Sequence, residues 1–213
     1  FTVERLGATV AHELTRGPQR LTTTLYGHDI SRPWWRQSSN SAQRPNDRGD
    51  PACGGLENLE SGCGNEGRIR RYQVLGAESR YRRPLLFSAL AGTLDLGARV
   101  HREVQERQQL NGASFNSRTA GPASNPGSGI VEDNRRSTDA VAGWAQARLG
   151  NDRFSVTPGL RVEHIDITRR NRRPVPDAPD GVFGATSLTE LIPGLGATYT
   201  ASSAVTLFAG AHR

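Results

Sequence analysis

The sequence predicts an all-β chain, about eight antiparallel strands that form a segment of a transmembrane β-barrel. Three observations carry this. Long stretches alternate apolar and polar residues with a period of two, those stretches exceed the length of ordinary globular strands, and the connections between them are alternately short and long.

The first two expected strands, Val3–Leu14 and Gln19–Trp34, are joined by a short turn at Arg16–Pro18. The third, Arg68–Tyr81, leads through a tight region at Arg82–Phe87 into the fourth, Leu90–Arg107. The fourth alternates most clearly. Its even positions from Leu90 to Val104 hold Leu90, Leu94, Leu96, Ala98, Val100 and Val104, with Arg102 the one exception, and its odd positions hold Asp95, Arg99, His101, Glu103, Gln105 and Arg107. A helix would mix these two sets on every face. The run is longer than the roughly 5–6 residues of a globular strand and exceeds the roughly 9–11 that a barrel strand needs to cross a membrane. After Arg136–Leu149 and a turn at Gly150–Asp152, the sixth strand, Phe154–Thr168, repeats the pattern. Phe154, Val156, Leu160 and Val162 oppose Ser155, Thr157, Arg161 and Glu163, and Pro158 marks a bulge or a non-bonded site. Leu188–Thr200, a turn at Ala201–Ser203 and Ala204–His212 complete the set.

The connections decide the architecture. Arg36–Gly67, Asn111–Asn134 and Asn171–Ser187 are long, polar and rich in Gly, Pro, Ser and Asn, and all three fall at the same end of the strands. A soluble sandwich has no reason for that arrangement, whereas a membrane barrel pairs short turns on one side with long loops on the other. An open sheet edge in lipid would leave backbone groups unsatisfied, so further strands are expected outside this run. The start at Phe1, the lack of Met and the finish inside a strand-like stretch suggest an internal segment of a larger barrel.

Composition excludes other classes. Hydrophobic residues make up only 35%, and no apolar stretch approaches the roughly 18 residues of a membrane helix. Barrel strands show lipid only every second residue, so this low average is compatible with a membrane. The net charge is +6 and every basic residue is Arg, but the arginines are scattered and no nucleic-acid motif occurs, so no nucleic-acid partner is expected. Cys53 and Cys63 are too few for a zinc ribbon and are read as a disulfide, which would stabilise its loop by roughly 2–3 kcal/mol. The five histidines are dispersed, so no metal site is expected, and Gly194-Leu195-Gly196 lies in a strand pattern rather than before a helix. No nucleophile elbow, P-loop or Cys-x-x-Cys occurs. No catalytic residue, no cofactor and no enzymatic activity are expected.

Several stretches together suggest a family: Trp34-Trp35-Arg36-Gln37, Asp50-Pro51-Ala52-Cys53-Gly54-Gly55 and Cys63-Gly64-Asn65-Glu66-Gly67-Arg68 early on, then Leu110-Asn111-Gly112 and Gly129-Ile130-Val131-Glu132-Asp133-Asn134. Later come Val156-Thr157-Pro158-Gly159-Leu160-Arg161-Val162-Glu163-His164, Leu191-Ile192-Pro193-Gly194-Leu195-Gly196-Ala197-Thr198-Tyr199 and Leu207-Phe208-Ala209-Gly210-Ala211-His212-Arg213. Across nearly its whole length the chain resembles the barrel region of TonB-dependent outer-membrane receptors, most closely ferric dicitrate transporters. The resemblance implies a 22-stranded barrel in the bacterial outer membrane, with loops near 36–67, 111–134 and 171–187 on the extracellular side. It also implies an N-terminal plug through which the TonB complex energises uptake, with neither plug nor TonB box among these residues.

The implied ligand is a ferric chelate, ferric citrate first and other siderophores next. Such chelates are anionic and oxygen-rich, and the planar fork of Arg donates paired hydrogen bonds to carboxylates. Arg36, Arg68, Arg70, Arg99 and Arg107 are therefore expected to form a basic funnel. Against this stands an ordinary charged lumen, in which Glu103 and Glu163 would neutralise the arginines. Trp34 and Trp35 suit an aromatic girdle at the outer interface, with stacking on ligand as the alternative. An outward arginine such as Arg102 would meet lipid phosphates. A passive porin, or a structural or adhesive barrel, is the competing function; its parent would lack a plug.

Overall fold

The computed structural model describes residues 2–37, 65–87, 90–112, 118–121, 129–174, 177 and 179–213. They form one eight-stranded antiparallel sheet in sequence order. The strands are β1 (Glu4–Arg16), β2 (Gln19–Gln37), β3 (Asn65–Phe87), β4 (Leu90–Asn111), β5 (Gly129–Gly150), β6 (Phe154–Asn171), β7 (Val182–Ser202) and β8 (Val205–His212). Each pairs only with its neighbours in the chain, so β1 and β8 are the sheet edges among the described residues. The turn after β1 takes Gly17 at φ 56°, a left-handed backbone that glycine adopts without Cβ strain. The β2–β3, β4–β5 and β6–β7 connections lie at one end, called here the long-connection end.

The strands run further than hydropathy alone suggests. β3 continues through Arg82–Phe87, where a tight region was expected, and Arg82 reaches across the sheet to Asp95 at 2.8 Å. β5 begins at Gly129 and β7 at Val182, inside segments expected to be loop. In β3, at the end opposite the long connections, Arg82 and Arg83 put a charge on each face and break the alternation. For β5 and β7 the cause is that both faces become polar toward the long-connection end. There the outward partners are ionic or polar: Asp29 with Arg71 and the Gln73 amide, Arg172 with Asp133 and Glu106, and Arg102 with Asp139. Backbone pairing continues through these residues without any apolar alternation to reveal it.

Cross-strand register assigns the faces, because residues directly opposite each other share one. Val100 stands opposite Ala77 and Val141, and Leu160 opposite Ala145 and Pro193. With Leu6, Val10, Leu25, Leu75, Leu195 and Leu207 they make a continuous apolar face, on which the valines and leucines named here are 45–79% exposed. Phe154 and Tyr199, paired at the short-turn end, edge this band with aromatic rings. The opposite face is polar. Its buried side chains include Glu66, Asp95, Asn111, Asn134 and Ser155. A sheet that exposes its apolar face and buries carboxylates on the other is inside-out relative to a soluble domain.

Glycines on the strands let aromatic rings lie flat across the neighbouring strand. A Cβ on Gly97 or Gly76 would occupy the space of the Trp144 indole or the Tyr26 ring, respectively, and one on Gly67 would lie 2.7 Å from Trp35. Covering a strand glycine with a cross-strand aromatic restores the packing that the missing side chain forfeits. Arg99 stacks over Tyr26 at 5.6 Å and Arg161 over Trp144 at 5.3 Å, both on the polar face.

Candidate ligand-binding site

The site is built from the polar face of β2 to β6 at the long-connection end. Side chains there form lateral rows, since each strand contributes every second residue. The uppermost row sets Arg36 beside Glu66, and the next sets Trp34 beside Arg68, Gln109 and Glu132. The row below places Arg32, Arg70 and Arg107 side by side, followed by Asn134 and Asn171. Adjacent strands are about 4.8 Å apart, which sets the lateral spacing of these groups. Arg136 and Arg169, paired with each other, follow one row deeper.

Glu66 organises the upper rows. Its side chain is 1% exposed, and it accepts from Arg68 Nε at 2.5 Å and from Arg36 at 3.3 Å. Both guanidiniums also lie over the Trp34 ring, at 5.4 Å for Arg36 and 5.8 Å for Arg68. Two cations are thereby fixed around one indole by a single buried carboxylate. The next row is less neutralised. Arg107 has one carboxylate near it, Glu132 at 3.7 Å, and the buried Nε atoms of Arg32 and Arg107 have no hydrogen-bond partner among the described residues. Arg68, Arg70, Arg107, Gln109 and Glu132 line a cleft of ≈ 240 Å³ with a predominantly polar wall. Arginines outnumber carboxylates here among the described residues, and the Nε donors of Arg32 and Arg107 are unspent. The arrangement therefore suits an anion that presents more than one acceptor group.

Of the five arginines expected to form the funnel, the structure brings four together: Arg36, Arg68, Arg70 and Arg107. Arg99 shares their face but lies eight residues below Arg107 on the same strand, a distance of roughly 27 Å at the usual strand rise. It belongs to a separate cluster, donating from Nε to Tyr26 Oη at 2.9 Å and from a terminal nitrogen to His101 Nδ1 at 3.2 Å. Tyr26 Oη also meets Nδ1, at 3.0 Å. A guanidinium can only donate, so Nδ1 is an acceptor and the imidazole proton sits on Nε2. Trp34 and Trp35 point to opposite faces, as consecutive strand residues must: Trp34 joins the arginines, while Trp35 covers Gly67 on the other side. Cys53 and Cys63 lie outside the described residues.

The carboxylates differ from those expected. Glu103 stands 4.0 Å from His101 Nε2, and Glu163 pairs with Arg161, so neither neutralises the mouth; Glu66 and Glu132 do. Sequence reasoning singled out neither, nor Arg32 as a member of the row. Glu66, Arg68 and Arg70 do alternate along the chain, which is the one local signal that they share a face. Among the described residues, no three His, Cys, Asp or Glu side chains group as metal ligands.

Comparison with known proteins extends the picture. No relative among curated proteins is found by sequence. Among solved structures the chain is similar to the ferric citrate transporter FecA in its unliganded form, with TM-score 0.73 and 19% identity over 99% of this chain and 27% of that one. It is also similar to the siderophore receptor PiuA from Acinetobacter baumannii (TM-score 0.72, 9% identity, 98% of this chain and 32% of that one). A third is the closed form of the ferric-catecholate import receptor Fiu from K12 E. coli (TM-score 0.66, 13% identity, 99% and 32%). At these identities the likeness establishes the fold, and the chain spans about a third or less of each receptor's length. A family model described as TonB dependent receptor-like, beta-barrel matches residues 4–213. The inside-out sheet, its strand order and that match over nearly every residue lead to one conclusion: this chain belongs to the TonB-dependent receptor β-barrel family.

Proposed function

We propose that the parent protein is a bacterial outer-membrane receptor that takes up an anionic ferric chelate, with ferric citrate the favoured ligand and other siderophores next. The polar face is its lumen, and the long-connection end is extracellular. The observation that carries this reading is the cationic mouth, in which Arg32, Arg70 and Arg107 stand in one lateral row, with Glu132 3.7 Å from Arg107. A chelate bearing several carboxylates can engage neighbouring guanidiniums at once, whereas an uncharged hydroxamate complex leaves them unpaired. A plug on another part of the parent, driven by TonB, would release the captured ligand inward. Similarity to FecA, a ferric citrate transporter by name, favours the same ligand class.

The test is to change Arg70 and Arg107 together to Gln in the full-length receptor and measure binding of ferric citrate and of a ferric hydroxamate. A hydrogen bond to a charged group contributes about 1.5–3 kcal/mol, so loss of one such contact lowers ferric citrate affinity by about ten- to a hundredfold. Hydroxamate binding stays unchanged. Equal affinity of variant and wild type for ferric citrate would exclude a direct role for this row. Uptake of hydroxamate alone would end the citrate assignment.

A further inference from the structure

Inside the cleft at the mouth, a carboxylate stands beside a cation without closing on it. Glu132 and Arg107 both line this cleft. Arg107 of β4 is directly opposite Asn134 of β5, and Glu132 lies two residues before Asn134 on the same face. Glu132 Oε1 is 3.7 Å from an Arg107 terminal nitrogen, beyond hydrogen-bond range. The same oxygen accepts from Asn134 Nδ2 at 2.8 Å. Asn134 Oδ1 in turn accepts from Arg169 Nε at 3.1 Å. A guanidinium only donates, so the amide oxygen must face Arg169 and the amide nitrogen must face Glu132. The chain from Arg169 through Asn134 to Glu132 therefore runs in one direction. Asn134 is 5% exposed and stands outside the cleft lining, so it holds Glu132 from behind the wall. Arg107 keeps a buried Nε with no hydrogen-bond partner among the described residues, so its guanidinium is not already satisfied.

We propose that Asn134 is a positioning residue: by holding Glu132 it keeps that carboxylate from closing on Arg107, and so leaves the guanidinium free for an anionic chelate. The inference rests on the transport reading above and names what regulates the charge of that site. Glu132 and a chelate carboxylate are the same chemical group, so they compete for the same donors. Glu132 is tethered beside Arg107 and is therefore a competitor at high effective concentration. A shift of about 1 Å would bring its Oε1 to the roughly 2.8 Å of a charge-assisted hydrogen bond. The hydrogen bond from Asn134 opposes that shift, and Arg169 keeps the amide turned the right way to make it.

The experiment compares Asn134→Ala, Glu132→Gln and the double variant in the purified full-length receptor in detergent, with two readouts. The rate at which phenylglyoxal modifies Arg107, followed by peptide mapping, needs no ligand. Isothermal titration with ferric citrate reads the site at work. In Asn134→Ala, Glu132 closes on Arg107, so labelling of Arg107 slows and ferric citrate binds about tenfold more weakly, as for loss of one charged hydrogen bond to the ligand. Glu132→Gln alone strengthens binding about threefold, by removing a like charge some 6 Å from the bound anion in a water-like medium. Adding Asn134→Ala to Glu132→Gln then changes labelling and binding by less than about twofold, because the two residues act through one contact. An asparagine that only stabilised the fold would weaken binding equally in both backgrounds; that result, or unchanged Arg107 labelling in Asn134→Ala, overturns the proposal. Asn134→Val, which suits a strand and offers no donor, takes the place of Asn134→Ala if that variant does not fold. Absence of ferric citrate binding in the wild type would refute the transport reading, while the labelling series would still decide the role of Asn134.

Discussion

Replacing Glu66 by Gln tests whether the mouth depends on its net positive charge or on the fixed positions of its arginines. Two effects compete. Removing the carboxylate raises the local potential, and an added unit of charge difference about 8 Å from a bound anion in a water-like dielectric contributes only about 0.5 kcal/mol. Removing it also frees Arg36 and Arg68, which Glu66 now holds at 3.3 and 2.5 Å. Re-ordering a long side chain on binding costs about 0.5–1.5 kcal/mol, and two are involved. The ordering cost exceeds the Coulomb gain, so Glu66→Gln should bind ferric citrate more weakly, by about five- to tenfold. Stability should fall as well. The full penalty for orphaning a buried charge, about 3–5 kcal/mol, does not apply, since the two guanidiniums are 44% and 37% exposed and can rehydrate. The expected loss is that of one charged hydrogen bond, about 1.5–2 kcal/mol. Isothermal titration with ferric citrate at low salt, alongside thermal unfolding of the full-length receptor in detergent, reads both numbers. Tighter binding with unchanged stability would show that net charge, not arginine placement, governs capture.

Two further outcomes follow from which face each side chain occupies. Trp34→Ala should weaken ferric citrate binding with little change in unfolding temperature, because Trp34 supports Arg36 and Arg68; Trp35→Ala should do the reverse, because Trp35 covers Gly67 on the outward face. Equal effects of the two in titration and in melting would contradict the assigned faces. Leu160→Arg, in the middle of the apolar band, should destabilise the folded receptor by about 2–4 kcal/mol. Gln105→Arg, on the polar face, should cost less, about 1 kcal/mol or below, from the like charge of Arg136 opposite it, and heat-modifiable mobility on gels separates the two.

How much of this was legible beforehand varies with the residue. The fourth and sixth strands were readable end to end within the apolar band, because alternation there reflects lipid on one side and water on the other. Beyond the band the signal vanished: Arg82–Phe87 looked like a turn, and the first residues of β5 and β7 looked like loop, although backbone pairing carries on through them. The arginines of the mouth were recognisable as candidates from their place near strand ends. Arg99 was grouped with them because it shares their parity on β4, yet its neighbours are Tyr26 and His101. Trp34 and Trp35 looked like a pair and are separated by the sheet.

Sequence by itself determined the all-β class, the number and order of strands and the alternation of faces along each. These are local consequences of a backbone whose side chains point to opposite sides at every step. Only the tertiary structure decided which residues stand beside one another across strands. Arg32, Arg70 and Arg107 form a row, Tyr26 reaches His101 from 75 positions away, and Glu66 clamps two arginines, all because of inter-strand register. Register is set jointly by every pairing in the sheet, and a slip of a single residue in one strand would turn all its side chains to the other face.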